Sequence, residues 1–129
     1  MSIFRRDQGG PGRVTAREAA VRTGHDTAAD GAGDAVLLDV REPYEWQSGH
    51  APRALHLPLS ALAIGAALPA HAQARPLVVI CRSGNRSRQA AELLAARGAV
   101  AVDVIGGMRS WAEEGLPVVD ASGKNGTVA

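Results

Sequence analysis

Three short apolar runs, each leading into a turn and then a helix-forming segment, constrain this chain more than any other feature. They are Val36–Val40, Leu77–Ile80 and Ala101–Ile105. Each is too short for a core helix and rich in β-branched residues, so each reads as a buried strand. Ala54–Leu57 reads as a fourth, shorter strand. The intervening segments read as helices. Thr15-Ala-Arg-Glu18 has the pattern of a capping box, opening a short helix that Gly24 closes. Pro43 suits the first turn of a helix reaching about Ser48. Ser60–Leu68 is a weaker helical stretch punctuated by Gly65. Arg88–Arg97 is rich in strong helix formers, with Ser87 as N-cap and Gly98 just past the end. Gly106-Gly107 turns the chain into a helix over Met108–Glu114, stopped by Gly115 and Pro117. Strands separated by helical crossovers predict an α/β fold, with a central, mostly parallel sheet flanked by helices on both faces. Ligands of such sheets bind beyond the carboxyl ends of the strands. Asp39 and Cys81 both fall at such ends.

The chain has 129 residues, enough for one domain with a single core. Residues 1–13, rich in Gly and Arg, and the polar residues 120–129 read as flexible tails, which leaves 14–119 as the domain. A formal net charge of +1 gives no reason to expect nucleic acid or an anionic membrane as partner. Aromatics at 3% also argue against base-stacking platforms. No run is long enough to span a bilayer, and the N-terminus lacks the apolar stretch of a signal peptide. A lone cysteine excludes an internal disulfide and a cysteine-rich metal site. A thiol that must stay reduced fits a cytoplasmic setting.

That cysteine lies where an apolar run stops and a helix begins, in Leu77-Val-Val-Ile-Cys81-Arg82-Ser83-Gly84-Asn85-Arg86-Ser87. Loop N–H groups, a helix N-terminus and two arginines all favour negative charge on its sulfur. Those are the conditions for a nucleophilic thiolate rather than a buried structural cysteine. Asp39, with Arg41 two residues on, reads as a support that positions this loop through a hydrogen bond or ion pair. Glu45 reads equally as a solvated helix residue or as the partner of an active-site arginine. His50 reads as a turn histidine bonded to backbone, and His25, His56 and His71 lack ligand spacing. Neither a metal site nor a cofactor is expected. Trp46 and Trp111 read as packing residues, and Arg88 as a first-turn surface residue.

Four blocks resemble the rhodanese family, specifically its small single-domain members. They are Leu38-Asp39-Val40-Arg41-Glu42-Pro43-Tyr44-Glu45-Trp46, Gly49-His50-Ala51-Pro52-Arg53-Ala54, the Cys81–Ser87 loop, and Gly106-Gly107-Met108 through Trp111 with Gly115-Leu116-Pro117. The resemblance covers about residues 13–119 and is specific in its order and spacing. It implies an α/β domain whose Cys81 takes a sulfane sulfur from a small anionic donor such as thiosulfate. The persulfide would pass to an external acceptor: cyanide, a thiol or a protein cysteine. Arg82 to Ser87 would form the substrate-binding loop. The second block departs from the family's Gly-His-Ile-Pro-Gly-Ala by carrying Ala51 and Arg53, which removes apolar packing and a glycine. Two other classes stay open: a cysteine-dependent phosphatase or arsenate reductase on the same fold, and a non-catalytic interaction module. Phosphatase relatives separate cysteine and arginine by five residues, whereas four separate Cys81 from Arg86.

Overall fold

The computed structural model describes residues 11–26 and 33–129. Among them five strands form one sheet: β1 (Arg13–Val14), β2 (Val36–Asp39), β3 (Leu55–His56), β4 (Leu77–Ile80) and β5 (Ala101–Val104). Their order is β1-β5-β4-β2-β3, and every pairing is parallel. The connecting helices are α1 (Ala16–Arg22), α2 (Pro43–Ser48), α3 (Leu59–Ala63), α4 (Arg86–Ala96) and α5 (Gly107–Glu113), with a 3₁₀ turn at Ala70–Ala72. The chain lays β2 and then β3 outward, and returns to add β4 on the other side of β2. The strand order therefore reverses between β2 and β4, where an open α/β sheet leaves a crevice at its carboxyl edge.

Every residue of β2 and β4 is buried, as expected for strands covered on both faces. Strict alternation divides them between two core layers. Leu37, Val78, Ile80 and Val104 pack with Ala16, Ala19 and Ala20 of α1 and Met108 and Trp111 of α5. Val36, Leu38, Leu77, Val79 and Ala101 pack on the other face with Leu62 of α3 and Ala90, Ala91 and Leu94 of α4. Cys81 belongs to this second layer.

Several boundaries differ from the sequence reading. Thr15 caps α1 by accepting from the Glu18 N–H at 3.1 Å, but the Glu18 carboxylate pairs with Arg22 at 2.8 Å rather than closing a capping box. The α3 helix ends at Ala63, because Gly65 adopts φ 98° two residues on. Helix α4 starts at Arg86, and its cap is Asn85, not Ser87. Arg13 is part of β1 rather than of a tail; residues 1–10 lie outside the described residues. After α5 the chain folds back on the domain. Val119 bridges to His50 and Asn125, Thr127 donates its N–H to Ser48, and Val128 packs against the α1–α5 core layer. Residues 120–129, read from sequence as a tail beyond the domain, thus make defined contacts with α2 and its C-terminal turn.

Candidate active site

Cys81 leaves β4 with its side chain 1% exposed. Two contacts define its sulfur. The Gly84 N–H donates to Sγ at 3.1 Å, and Sγ lies 3.4 Å from the Ser87 hydroxyl. Gly84 has φ 102°, in the left-handed region that only glycine enters without strain. A Cβ there would also press on the Gly106 N–H and on the Arg13 guanidinium, both at 3.1 Å. The glycine thus lets the loop curl round the sulfur and aim its amide inward.

Helix α5 fixes the loop from below. The Met108 N–H donates to the Cys81 carbonyl at 2.7 Å, and the Arg109 N–H to the Arg82 carbonyl at 3.0 Å. This approach requires Gly107, whose position leaves no room for a Cβ beside the Cys81 carbonyl. Gly106-Gly107 is therefore more than a turn: it joins the first turn of α5 to the cysteine loop.

The remaining loop residues divide in two. Arg82, Ser83 and Asn85 are exposed, as is Arg88 beyond them. The Arg82 Nε donates to the Ala129 carbonyl at 2.6 Å. Arg86 instead turns back to α2 and makes a two-pronged pair with Glu45, at 2.7 and 2.9 Å. That choice settles the two readings of Glu45. The Arg86 hydrogen bond holds the Glu45 carboxyl below the usual carboxylate range, and Glu45 in turn raises Arg86. Arg86 also lies within electrostatic reach of Cys81.

Ser87 has a different role from the helix cap predicted for it. It is wholly buried and donates its hydroxyl to Asp103 Oδ2 at 2.8 Å. Asp103, itself 2% exposed, is held by Arg13: Nε to Oδ1 at 2.9 Å and Nη2 to Oδ2 at 3.2 Å. Arg13 Nη2 also donates to the Gly84 carbonyl at 3.0 Å. Sequence reasoning missed both Asp103 and Arg13. A signal for Asp103 existed, since period-two alternation puts it on the face of Ala101 and beside Val79, on the Cys81 side of the sheet. Nothing local marked Arg13.

Asp39 and Arg41 form a fully buried pair, with Nη2 to Oδ2 at 2.8 Å and Nε to Oδ1 at 3.0 Å. Arg41 Nη2 also donates to the Gly49 carbonyl at 2.7 Å, while its Nη1 is buried without a partner. Among the described residues no hydrogen bond joins this pair to residues 82–87, so it does not position the loop directly as the sequence reading expected. Its link to the site is indirect: Arg41 adds to the positive field on Glu45.

The second block tolerates its departures. Ala51 is fully buried in the α1–α5 layer. Arg53 keeps negative φ and donates its backbone N–H to His25 Nε2 at 2.9 Å. His25 is therefore a buried residue bonded at both ring nitrogens, to Thr23 and to the Arg53 N–H. His50 Nδ1 bonds the Trp46 carbonyl at 2.7 Å, and His56 Nε2 the Arg41 carbonyl at 2.7 Å. Both rings stack on Trp46, with centroids 3.6 and 4.8 Å away. Trp111 is buried and donates to the Pro117 carbonyl at 2.8 Å. Among the described residues no cluster of three or more His, Cys, Asp or Glu side chains could hold a metal ion. No helix among them is long and apolar enough to cross a membrane.

Comparison with known proteins agrees with this arrangement. The Rhodanese-like domain family matches residues 25–114. The chain is 35% identical over 108 residues to an adenylyltransferase and sulfurtransferase of Zea mays, MOCS3-2; the match covers 79% of this chain and 21% of that protein. The chain thus spans about a fifth of that relative's length. A crystal structure of a rhodanese-related protein from Thermoplasma volcanium superposes with a TM-score of 0.64 at 33% identity, covering 84% of this chain and 97% of the other. A Rhodopseudomonas palustris protein described as a possible tyrosine phosphatase shares the fold, with a TM-score of 0.69 at 22% identity over 91% of each chain. With a buried cysteine at the switch point of a parallel sheet, and a family match across most of its length, this chain belongs to the rhodanese-like domain family.

Proposed function

We propose that the protein is a sulfurtransferase that carries sulfane sulfur as a Cys81 persulfide, from an anionic donor such as thiosulfate to a thiophilic acceptor. The observation that supports this best is the Gly84 N–H aimed at a buried sulfur at 3.1 Å. A backbone donor fixed by a left-handed glycine favours anionic sulfur, and both the thiolate and its persulfide are anions. In the reaction, Cys81 thiolate attacks the outer sulfur of thiosulfate. A new S–S bond forms, and the old one breaks with its electron pair leaving on sulfite. An acceptor nucleophile then attacks the outer sulfur of the persulfide and returns Cys81 to thiolate. No general base is obligatory in either step. Arg82 and Arg86 steer the donor, Ser83 and Asn85 line its approach, and cyanide, a small thiol or a protein cysteine serves as acceptor. A reducing, cytoplasmic setting keeps the single thiol competent.

The four-residue spacing between Cys81 and Arg86 favours sulfur over phosphorus chemistry. Arg86 already spends both Nη groups on Glu45, at 2.7 and 2.9 Å, which favours the same reading. Incubation with thiosulfate followed by mass spectrometry should show one added sulfur on the peptide containing Cys81. Cys81→Ser should abolish loading and thiosulfate:cyanide turnover while keeping the fold. Faster hydrolysis of an aryl phosphate than desulfuration of thiosulfate would overturn the reading in favour of a phosphatase. Absence of both activities would favour an interaction module.

A further inference from the structure

The hydrogen-bond chain from Cys81 does not end at the loop. It runs through the Ser87 hydroxyl, 3.4 Å from Sγ and 2.8 Å from Asp103 Oδ2, to a carboxylate gripped at both oxygens by Arg13. Ser87 owns one hydrogen, and two groups compete for it. While Cys81 is a thiol, its S–H donates to Ser87 Oγ and the serine hydrogen goes to Asp103, so every group is satisfied. Once the sulfur is an anion it has no hydrogen to give. A serine still donating to Asp103 would then turn an oxygen lone pair towards negative sulfur. The hydroxyl must swing to the sulfur, and Asp103 then relies on Arg13 alone.

We infer that Asp103 is a positioning residue that sets the direction of the Ser87 hydroxyl and thereby governs how readily Cys81 ionises. The arrangement suits that role on each side. Asp103, Ser87 and Cys81 are all at most 2% exposed, so water cannot stand in for the contested hydrogen. Arg13 of β1 can hold Asp103 after the serine leaves, because its two contacts do not involve Ser87. The same arginine bonds the Gly84 carbonyl, which couples the carboxylate to the residue whose N–H meets the sulfur. The other charged groups around this chain are Arg88 and Glu92 of α4, which line a crevice of about 140 Å³ with Arg13 and Asp103, and the Arg86–Glu45 pair. None of these bonds the Ser87 hydroxyl, whose bonds among the described residues run to Cys81 and Asp103.

The inference deepens the sulfurtransferase reading, since it concerns the sulfur that would carry the persulfide. It is tested without any sulfur donor, by following the ultraviolet absorbance of the thiolate against pH; one cysteine makes the signal unambiguous. Asp103→Asn weakens the competing acceptor and should displace the titration to lower pH by about one unit, a roughly tenfold gain in thiolate at fixed pH. Ser87→Ala removes the donor to the anion and should displace it to higher pH. It leaves the Arg13–Asp103 pair intact, so it tests the chain even if the Asp103 variant does not fold. In the Ser87→Ala background, Asp103→Asn should have less than half its effect. Equal displacement in both backgrounds, no displacement by Asp103→Asn, or no alkaline displacement by Ser87→Ala would each overturn the inference. Normal displacements in a protein that never takes sulfur from thiosulfate would reject the sulfurtransferase reading and leave the coupling standing. Loading without displacements would reject the coupling alone.

Discussion

Two aspartate–arginine pairs lie at the carboxyl side of the sheet, and they are built for opposite purposes. The Asp39–Arg41 pair is sealed on both sides, with side chains 0% exposed, and binds only the frame around it: the Gly49 carbonyl and its own strand end. The Asp103–Arg13 pair is half open, with Arg13 33% exposed while Asp103 is buried, and both partners reach the cysteine loop. A sealed pair has nowhere to send its charge, so it holds two segments in register. An open pair can lose one partner and keep another, so it can respond when the sulfur changes charge. Similar chemistry thus serves as a rivet in one place and as a lever in the other.

The largest effect should come from breaking the rivet. Arg41→Met leaves the Asp39 carboxylate buried without its cation, and should cost about 3–5 kcal/mol in urea unfolding. A loss below about 1 kcal/mol would mean that the pair does not hold the frame. Next comes a buried group in the α1–α5 core layer, His25. His25 lies against Trp111, and burial, aided by the nearby Arg53 charge, lowers it from 6.5 to about 4. Below its unfolded value the unfolded chain takes up a proton that the folded chain refuses. Its contribution is therefore complete above about pH 6.5 and is lost as pH falls towards about 4, by about 3 kcal/mol when the loss is complete. His25→Gln should flatten that part of the stability–pH curve, and an unchanged slope would place the acid loss elsewhere.

Arg13→Gln is expected to cost less stability than Arg41→Met, about 1–2 kcal/mol, because its head is partly in water. It should nonetheless move the Cys81 thiolate titration, whereas Arg41→Met, measured while folded, should leave it in place. The reverse pattern would exchange the roles of the two pairs. Arg86→Gln should raise the thiosulfate KM several-fold with little change in kcat, and steady-state kinetics would show it. Smallest of all, Arg17→Ala removes a pair with Glu114 in which both side chains are about half exposed. Thermal denaturation should register less than about 1 kcal/mol.

The same two pairs show what can be read in a sequence and what cannot. Asp39 and Arg41 are two residues apart, and the short β-branched run before them announces a strand end; their place at that end was legible as a local pattern, but their pairing with each other rather than with the loop was not. The strands, their parallel arrangement and the cysteine loop were legible for the same reason, because period and composition report burial directly. Asp103 and Arg13 are 90 residues apart, and their meeting depends on β1 pairing with β5. Arg13 stands beside a glycine-rich segment and reads as tail, since a two-residue strand has no periodicity to display. Ser87 was misread for a related reason. Its residue type suits a cap, but the helix begins one residue earlier and turns the hydroxyl inward to a strand that no local pattern couples to it.

The edge strand that carries Arg13 has a practical consequence for limited proteolysis. A protease that clipped the chain after Val14 would remove one edge strand and spare nearly all of both core layers, so the digested protein would pass a survey of helix content as nearly whole. Its thiol would nevertheless have lost the cation that secures Asp103 and the clasp on the Gly84 carbonyl. Where such a domain is trimmed to the first helix, intactness judged by helix content and intactness judged at the thiol will part company at this one residue.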